Sequence, residues 1–160
     1  MKILVGEDAE LAMGFIREAA CIAESATCER SLCGAVIVSG GKIIGFGFNS
    51  PAGGEESRCQ TLKKDYDLKV TDKTCCVHAE QRAIMDALRK NYEKIFGSRL
   101  YFVRLDKEGN ISFAGKPYCT ICSKMALDVG VAEFVLYRED GVCVYDTKEY
   151  NDLSFGYKSE

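Results

Sequence analysis

Residues 99–137 read RLYFVRLDKEGNISFAGKPYCTICSKMALDVGVAEFVLY. The first seven, Arg99–Leu105, are dominated by aromatic and aliphatic residues and read as a strand. Glu108-Gly109-Asn110 has turn chemistry. Residues 119–129 read as a helix, with Gly130 as the residue past its end. Residues 133–137 return to a strand. A strand, a helix and a second strand in this order predict a parallel pair joined by a right-handed crossover. The helix begins with Cys119 and Cys122. Three residues apart on a helix, two side chains share a face and can chelate one ion. A helix N-terminus also favours the thiolate form through its free N–H groups and dipole.

Upstream, the pattern alternates in the same way. Residues 8–25 read as a first helix with Asp8 as its N-cap and a stripe of Leu11, Ala12, Phe15, Ile16, Ala19, Ile22 and Ala23. Residues 35–38 form a buried strand, Gly40-Gly41 a hairpin turn, and residues 42–48 its antiparallel partner. Residues 49–54 are a loop by composition, and the chain stays polar to Thr74, with a short helix near residues 60–66. A second helix fits residues 78–92, where Ala79, Ala83, Ile84, Ala87 and Leu88 recur at helical spacing. Residues 141–145 add a fifth strand. This order predicts an α/β fold in which a mixed sheet is covered by helices on both faces. No repeat or linker divides the chain, so residues 1–160 read as one domain with a C-terminal tail at about 146–160.

Composition narrows the class. At 160 residues and 47% hydrophobic, the chain can bury a core without disulfide staples. A net charge of −3 argues against a polynucleotide-wrapping protein but leaves room for a single nucleotide. Lys2-Ile3-Leu4-Val5 is too short for a signal-peptide core, and no stretch reaches the length of a membrane span. Nine cysteines without an export signal suggest reduced thiols and metal ligation, and a cytoplasmic protein is expected.

Val77-His78-Ala79-Glu80 supplies the complement to the cysteines. His78, the only histidine, opens the second predicted helix just after a loop, as Cys119 and Cys122 open the third. One imidazole and two thiolates make three ligands for a tetrahedral zinc, and they leave a fourth position for water. Glu80, two residues on, is placed as a general acid/base. A Cys-x-x-Cys alone also fits a redox pair or half of a structural zinc site. The His-x-Glu in the matching position is what favours catalytic zinc and a nucleobase deaminase.

At these motifs the chain resembles the cytidine/deoxycytidylate deaminase superfamily, and the deoxycytidylate deaminases most. Cys33-Gly34-Ala35-Val36-Ile37-Val38, followed by Gly45-Phe46-Gly47-Phe48-Asn49-Ser50-Pro51-Ala52-Gly53-Gly54, is similar to the stretch those enzymes write as V-G-A-V-I-V…G-Y-N-G-x-P-x-G. The resemblance spans roughly residues 11–137. It implies a three-layer α/β/α sandwich and zinc-dependent hydrolytic deamination of a cytosine nucleotide or nucleoside, with deoxycytidylate as leading substrate. It also implies a sugar- or base-binding role for Asn49, contact of the Ala79 backbone N–H with the pyrimidine carbonyl, and a homo-oligomer. Asn49 also fits a turn residue that stabilises its own loop. Other amino-heterocycles, or a zinc-bearing interaction module without turnover, are the alternative readings.

Two positions depart from the family pattern. The usual Pro-Cys dipeptide is Pro117-Tyr118-Cys119, which leaves Tyr118 either lining the pocket or packing on the sheet. Arg82 stands where those enzymes often carry asparagine; it fits a ligand-binding guanidinium or an outward-facing one. Of the other cysteines, Cys21, Cys33 and Cys143 read as small core residues. Cys28, Cys59 and one of Cys75 or Cys76 lie near places where some deoxycytidylate deaminases hold a second, structural zinc; unpaired thiols are the alternative. The tail carries Tyr145, Tyr150, Phe155 and Tyr157, which suits a lid, a subunit contact or a frayed end.

Overall fold

The chain runs β1 (Lys2–Ile3), α1 (Gly6–Ala23), β2 (Leu32–Ser39), β3 (Lys42–Phe48), β4 (Ser50–Pro51), β5 (Cys76–Val77), α2 (Ala79–Asn91), β6 (Arg99–Leu105), β7 (Ile111–Ser112), α3 (Thr120–Asp128), β8 (Glu133–Arg138), β9 (Gly141–Asp146) and α4 (Thr147–Gly156). This computed structural model describes residues 1–54, 59 and 74–158. The helix expected near residues 60–66 lies outside them.

The main sheet has the order β1-β9-β8-β6-β2-β3, with β7 added beside the end of β6. β6 and β8 are parallel, as the strand–helix–strand reading predicts, and the other pairings are antiparallel. The β2–β3 hairpin closes on Gly40 and Gly41, whose φ values of 55° and 74° are the pair of positive angles that a tight two-residue turn demands.

Strand alternation sorts the core into two layers. Val36 and Val38 of β2, with Tyr101, Val103 and Leu105 of β6, meet Ala12, Ile16, Ala19 and Ala23 of α1. On the opposite face, Ala35, Ile37, Leu100 and Phe134 meet Ala79, Ala83, Ile84 and Ala87 of α2 and Ala126 of α3. The result is the expected three-layer α/β/α sandwich with a mixed central sheet. Small residues bring the layers close. A Cβ on Gly47 would lie 2.5 Å from Ala79 O and Ala83 N, and one on Gly45 would lie 2.6 Å from Ala83 O and Ala87 N. The α2 backbone therefore rests almost directly on β3.

Several expectations shift. α1 starts at Gly6 after Val5, so Asp8 sits in the first turn, where its charge complements the helix dipole, rather than at the N-cap. The tail expected at 146–160 folds into α4 for most of its length. Asp146 accepts from Lys148 N (2.9 Å) and Glu149 N (3.2 Å) to start that helix. Tyr150 then stacks on Phe134, with ring centroids 4.1 Å apart. Cys33 and Cys143 are buried as expected, but Cys21 points outward from α1. Among the described residues, no helix is long and apolar enough to cross a membrane.

Candidate active site

Two helices begin at one place. His78 is the residue before α2, with extended backbone (φ −70°, ψ 152°), and Cys119 holds the same position before α3 (φ −89°, ψ 96°). The His78 N–H donates to Gln81 Oε1 at 3.0 Å, which fixes the chain as it enters α2. The two starts bring His78, Cys119 and Cys122 together, as their sequence pattern predicts. His78 Nδ1 lies 3.3 Å from each sulfur, and the two sulfurs lie 3.3 Å apart. Bond lengths of about 2.0–2.3 Å in a tetrahedral zinc centre put ligand atoms roughly 3.5–3.8 Å from one another. Three donors already gathered this closely fit that ion with a slight outward relaxation.

The electrostatics of the three groups are linked. Hydrogen bonding with Cys122 lowers the Cys119 thiol to about 4 despite burial, and His78 lowers it further. The same Cys119 contact, together with burial, pushes Cys122 up. Glu80 is buried beside them, 6% exposed. Its carboxyl is held above the ordinary range by burial first; the Cys119 charge adds to this and His78 opposes it.

A cavity of about 140 Å³ opens onto this group, lined among others by Asn49, Ala79, Glu80, Arg104 and Tyr118. Ala79 is the first residue of α2, so its N–H has no acceptor within the helix. Asn49 is buried, and much of its amide is committed. Its Oδ1 accepts from Cys33 N and its Nδ2 donates to Ser31 O, both at 2.8 Å. The side chain thereby ties its loop to residues 31–33 on the cavity wall, and among the described residues its second amide N–H has no partner.

Arg82 does neither of the two things its sequence position allows. Its Nη2 turns back to Ser50 O and Pro51 O, both at 3.3 Å, and its guanidinium lies 5.9 Å from the centre of the Phe48 ring. It pins the loop that follows Asn49. Tyr118 does line the cavity; its ring lies 5.7 Å from that of Tyr157. Burial, and then the Glu80 charge, push its hydroxyl up to about 12, with Arg104 opposing.

The four remaining candidate cysteines also converge. Cys59 Sγ lies 3.5 Å from that of Cys75 and 3.4 Å from that of Cys76, and Cys75 and Cys76 are 3.5 Å apart. With Cys28 they form one group whose sulfurs all fall within 4.8 Å of one another. Both members of the Cys75-Cys76 pair take part, where the sequence left a choice of one. Arg104, by contrast, is a cavity residue that sequence reading missed. Its signal was there: period-two alternation sets it in line with Leu100 and Phe102, a charge in an inward-facing row.

A family profile for the cytidine and deoxycytidylate deaminase zinc-binding region matches residues 9–138. The chain belongs to this family. Among solved structures, the deaminase is similar to the dCMP deaminase of cyanophage S-TIM5 in complex with dCMP and dUMP, at 24% identity and a TM-score of 0.58 over 82% of each chain. It is also similar to cytidine deaminase from Burkholderia pseudomallei, at 19% identity and a TM-score of 0.58, covering 86% of this chain and 94% of that one. Such likeness speaks to the fold. A search among curated proteins gives no significant sequence match.

Proposed function

We propose that this deaminase hydrolyses the C4 amine of a cytosine nucleotide or nucleoside, with deoxycytidylate as leading substrate, to give the uracil product and ammonia. The observation that carries the reading is a buried carboxylate, Glu80, beside a three-donor metal group at a cavity. His78, Cys119 and Cys122 would hold the zinc. When bound there, zinc supplies Lewis acidity that makes water a stronger acid near neutral pH. The chain's own part falls chiefly to Glu80. Its carboxylate takes a proton from the attacking water, delivers it to ring N3, and passes the second proton to the departing amine. A carboxyl raised by burial suits that double duty, because it returns a proton more readily than a solvated one. In this reading the Ala79 N–H at the helix start holds the ring carbonyl, and the second amide N–H of Asn49 meets sugar or base.

Purified, zinc-loaded protein given cytosine, cytidine, deoxycytidine and the two monophosphates is expected to release ammonia from at least one. Inertness across that panel and a broader set of amino-heterocycles would remove the reading. The same proposal includes a homo-oligomer in the cytoplasm; exposed Leu88, Tyr92 and Phe96 supply apolar surface for it.

Cys28, Cys59, Cys75 and Cys76 are proposed to hold a second, structural zinc, since four thiolates make a closed tetrahedral site. Its place gives it a purpose. Cys76 lies in β5, which pairs with β4 just after Asn49 and runs into His78. Metal content of the wild type is expected near two per chain, and near one in a Cys28→Ser/Cys59→Ser double variant with a lowered Tm. A wild-type content near one would discard the second site.

A further inference from the structure

The buried stretch Asn49-Ser50-Pro51 is held from three directions. Asn49 N donates to Cys33 O at 3.1 Å, and the Asn49 side chain returns to Cys33 N and Ser31 O. Ser50 and Pro51 pair with Val77 and Cys76 of β5. The third hold is Arg82, in the first turn of α2, whose Nη2 donates to Ser50 O and Pro51 O. That nitrogen carries two hydrogens, so each carbonyl can take one. Arg82 is itself firmly seated. Its own N–H closes the first helical turn on His78 O at 3.1 Å. Its Cβ stands against Gly47, 2.5 Å from where a Cβ on that glycine would lie, and its guanidinium lies against Phe48. Among the described residues, its Nε is buried without an acceptor and no carboxylate pairs with it. Asp86, one turn along, pairs with Lys90 at 2.7 Å instead. Taking a guanidinium out of water is costly unless acceptors meet it, so the two carbonyls keep this side chain turned to the loop.

The bridge joins two walls of the cavity. Asn49 lines it from the loop, and Ala79 and Glu80 line it from α2. Arg82 comes two residues after Glu80, and the first carbonyl it holds comes one residue after Asn49. A ring seated between these walls meets both only at one spacing, and small errors in such positioning are expensive. We propose that Arg82 is a positioning residue: by bridging Ser50 O and Pro51 O to the first turn of α2, it sets the spacing of the Asn49 wall from the Ala79–Glu80 wall, and so governs substrate affinity rather than proton transfer. The assignment rests on the deaminase reading above. It goes beyond the shared motif, since the family often carries asparagine, shorter and neutral, at this position.

Three measurements on the full-length protein test it. The first is steady-state kinetics on whichever substrate of the panel wild type turns over fastest. Arg82→Met keeps a helix-favouring, unbranched stem and removes the donors. It is expected to raise KM about 10-fold or more, the worth of a charged hydrogen bond, with kcat within about threefold of wild type and zinc content unchanged. Arg82→Lys, which restores a donating cation, should recover part of the KM. A fall in kcat at unchanged KM, or no change in either, would overturn the assignment. The second is a double-mutant cycle. Because Arg82 acts through the loop that carries Asn49, adding Arg82→Met to Asn49→Ala should raise KM by less than about twofold further. A full additional loss would count against the bridge. The third, amide hydrogen exchange, needs no turnover. In Arg82→Met the Asn49 and Cys33 amides should exchange about tenfold faster, and those of β6 at the wild-type rate. If exchange quickens in a protein that releases no ammonia, the positioning role stands and the deaminase reading falls. Unchanged exchange removes the positioning role, and with ammonia release intact it leaves the deaminase reading in place.

Discussion

Replacing Glu80 by glutamine is expected to leave zinc content unchanged and to cut turnover by about 10²–10⁴-fold, the range over which a positioned acid/base acts. Glutamine fills nearly the same volume in a site only 6% exposed, so the loss would report proton transfer rather than collapse. The same change should stabilise the fold. Burial raises the Glu80 carboxyl above its ordinary 4.5. Below that pH it is protonated in both folded and unfolded chains and contributes nothing. As pH rises past 4.5 the unfolded chain ionises first, so the folded state loses stability until its own carboxyl ionises, and the loss persists above that point. With metal removed by chelation, the Tm of Glu80→Gln should equal that of wild type near pH 4 and exceed it near pH 7. A variant that keeps more than about a tenth of wild-type turnover would end the assignment of Glu80 as proton carrier.

Removing a ligand should separate the two sulfur sites. Cys119→Ala deletes a donor from the His78 group and is expected to reduce activity by about 10³-fold or more, the equivalent of several kcal/mol of lost electrostatic stabilisation. Metal content should fall by one ion per chain while Tm changes less than in the Cys28/Cys59 double variant. The reasoning is positional. Cys119 lies at the start of α3, whose packing on the sheet rests on Ala126 and its neighbours. The four-cysteine group draws together residues from three separate points of the chain. Full activity in Cys119→Ala, or unchanged metal content, would contradict the ligand assignment. Metal analysis and ammonia release on the same preparation give both readouts.

Much of this architecture is legible locally. β6 falls where its aromatic and aliphatic run places it, and α2 and α3 begin within a residue of the motifs that mark them. Their N-termini carry the candidate site, so locating the helices locates His78, Glu80, Cys119 and Cys122. The elements that escape reading are short or depend on remote partners. β1, β4, β5 and β7 are two residues each and exist only through pairing, which no local period announces. α4 buries few residues, chiefly Thr147, Tyr150 and Ser154, too thin a stripe to stand out among its charges. Arg82 shows the same limit from another side. Its identity suggests charge recognition, but its function follows from two carbonyls brought beside it by a loop more than thirty residues earlier.

The contact between α2 and β3 carries a consequence for how this centre tolerates change. Metal-ligand distances allow deviations of only about 0.2 Å. The first turn of α2, which follows His78 and contains Glu80, is seated directly on Gly47, where a methyl group would meet backbone atoms at 2.5 Å. Admitting that methyl would lift the helix start by about 1 Å to reach ordinary contact distance, several times what the donors can absorb. Two hydrogens on a residue with no chemistry of its own thus act as the machinist's datum from which the imidazole and the carboxylate are both measured. The alignment of His78 and Glu80 is held by a strand that contributes no residue to the cavity lining. Under the proposed roles, a substitution at this glycine is expected to abolish turnover while His78, Glu80, Cys119 and Cys122 all remain in the sequence.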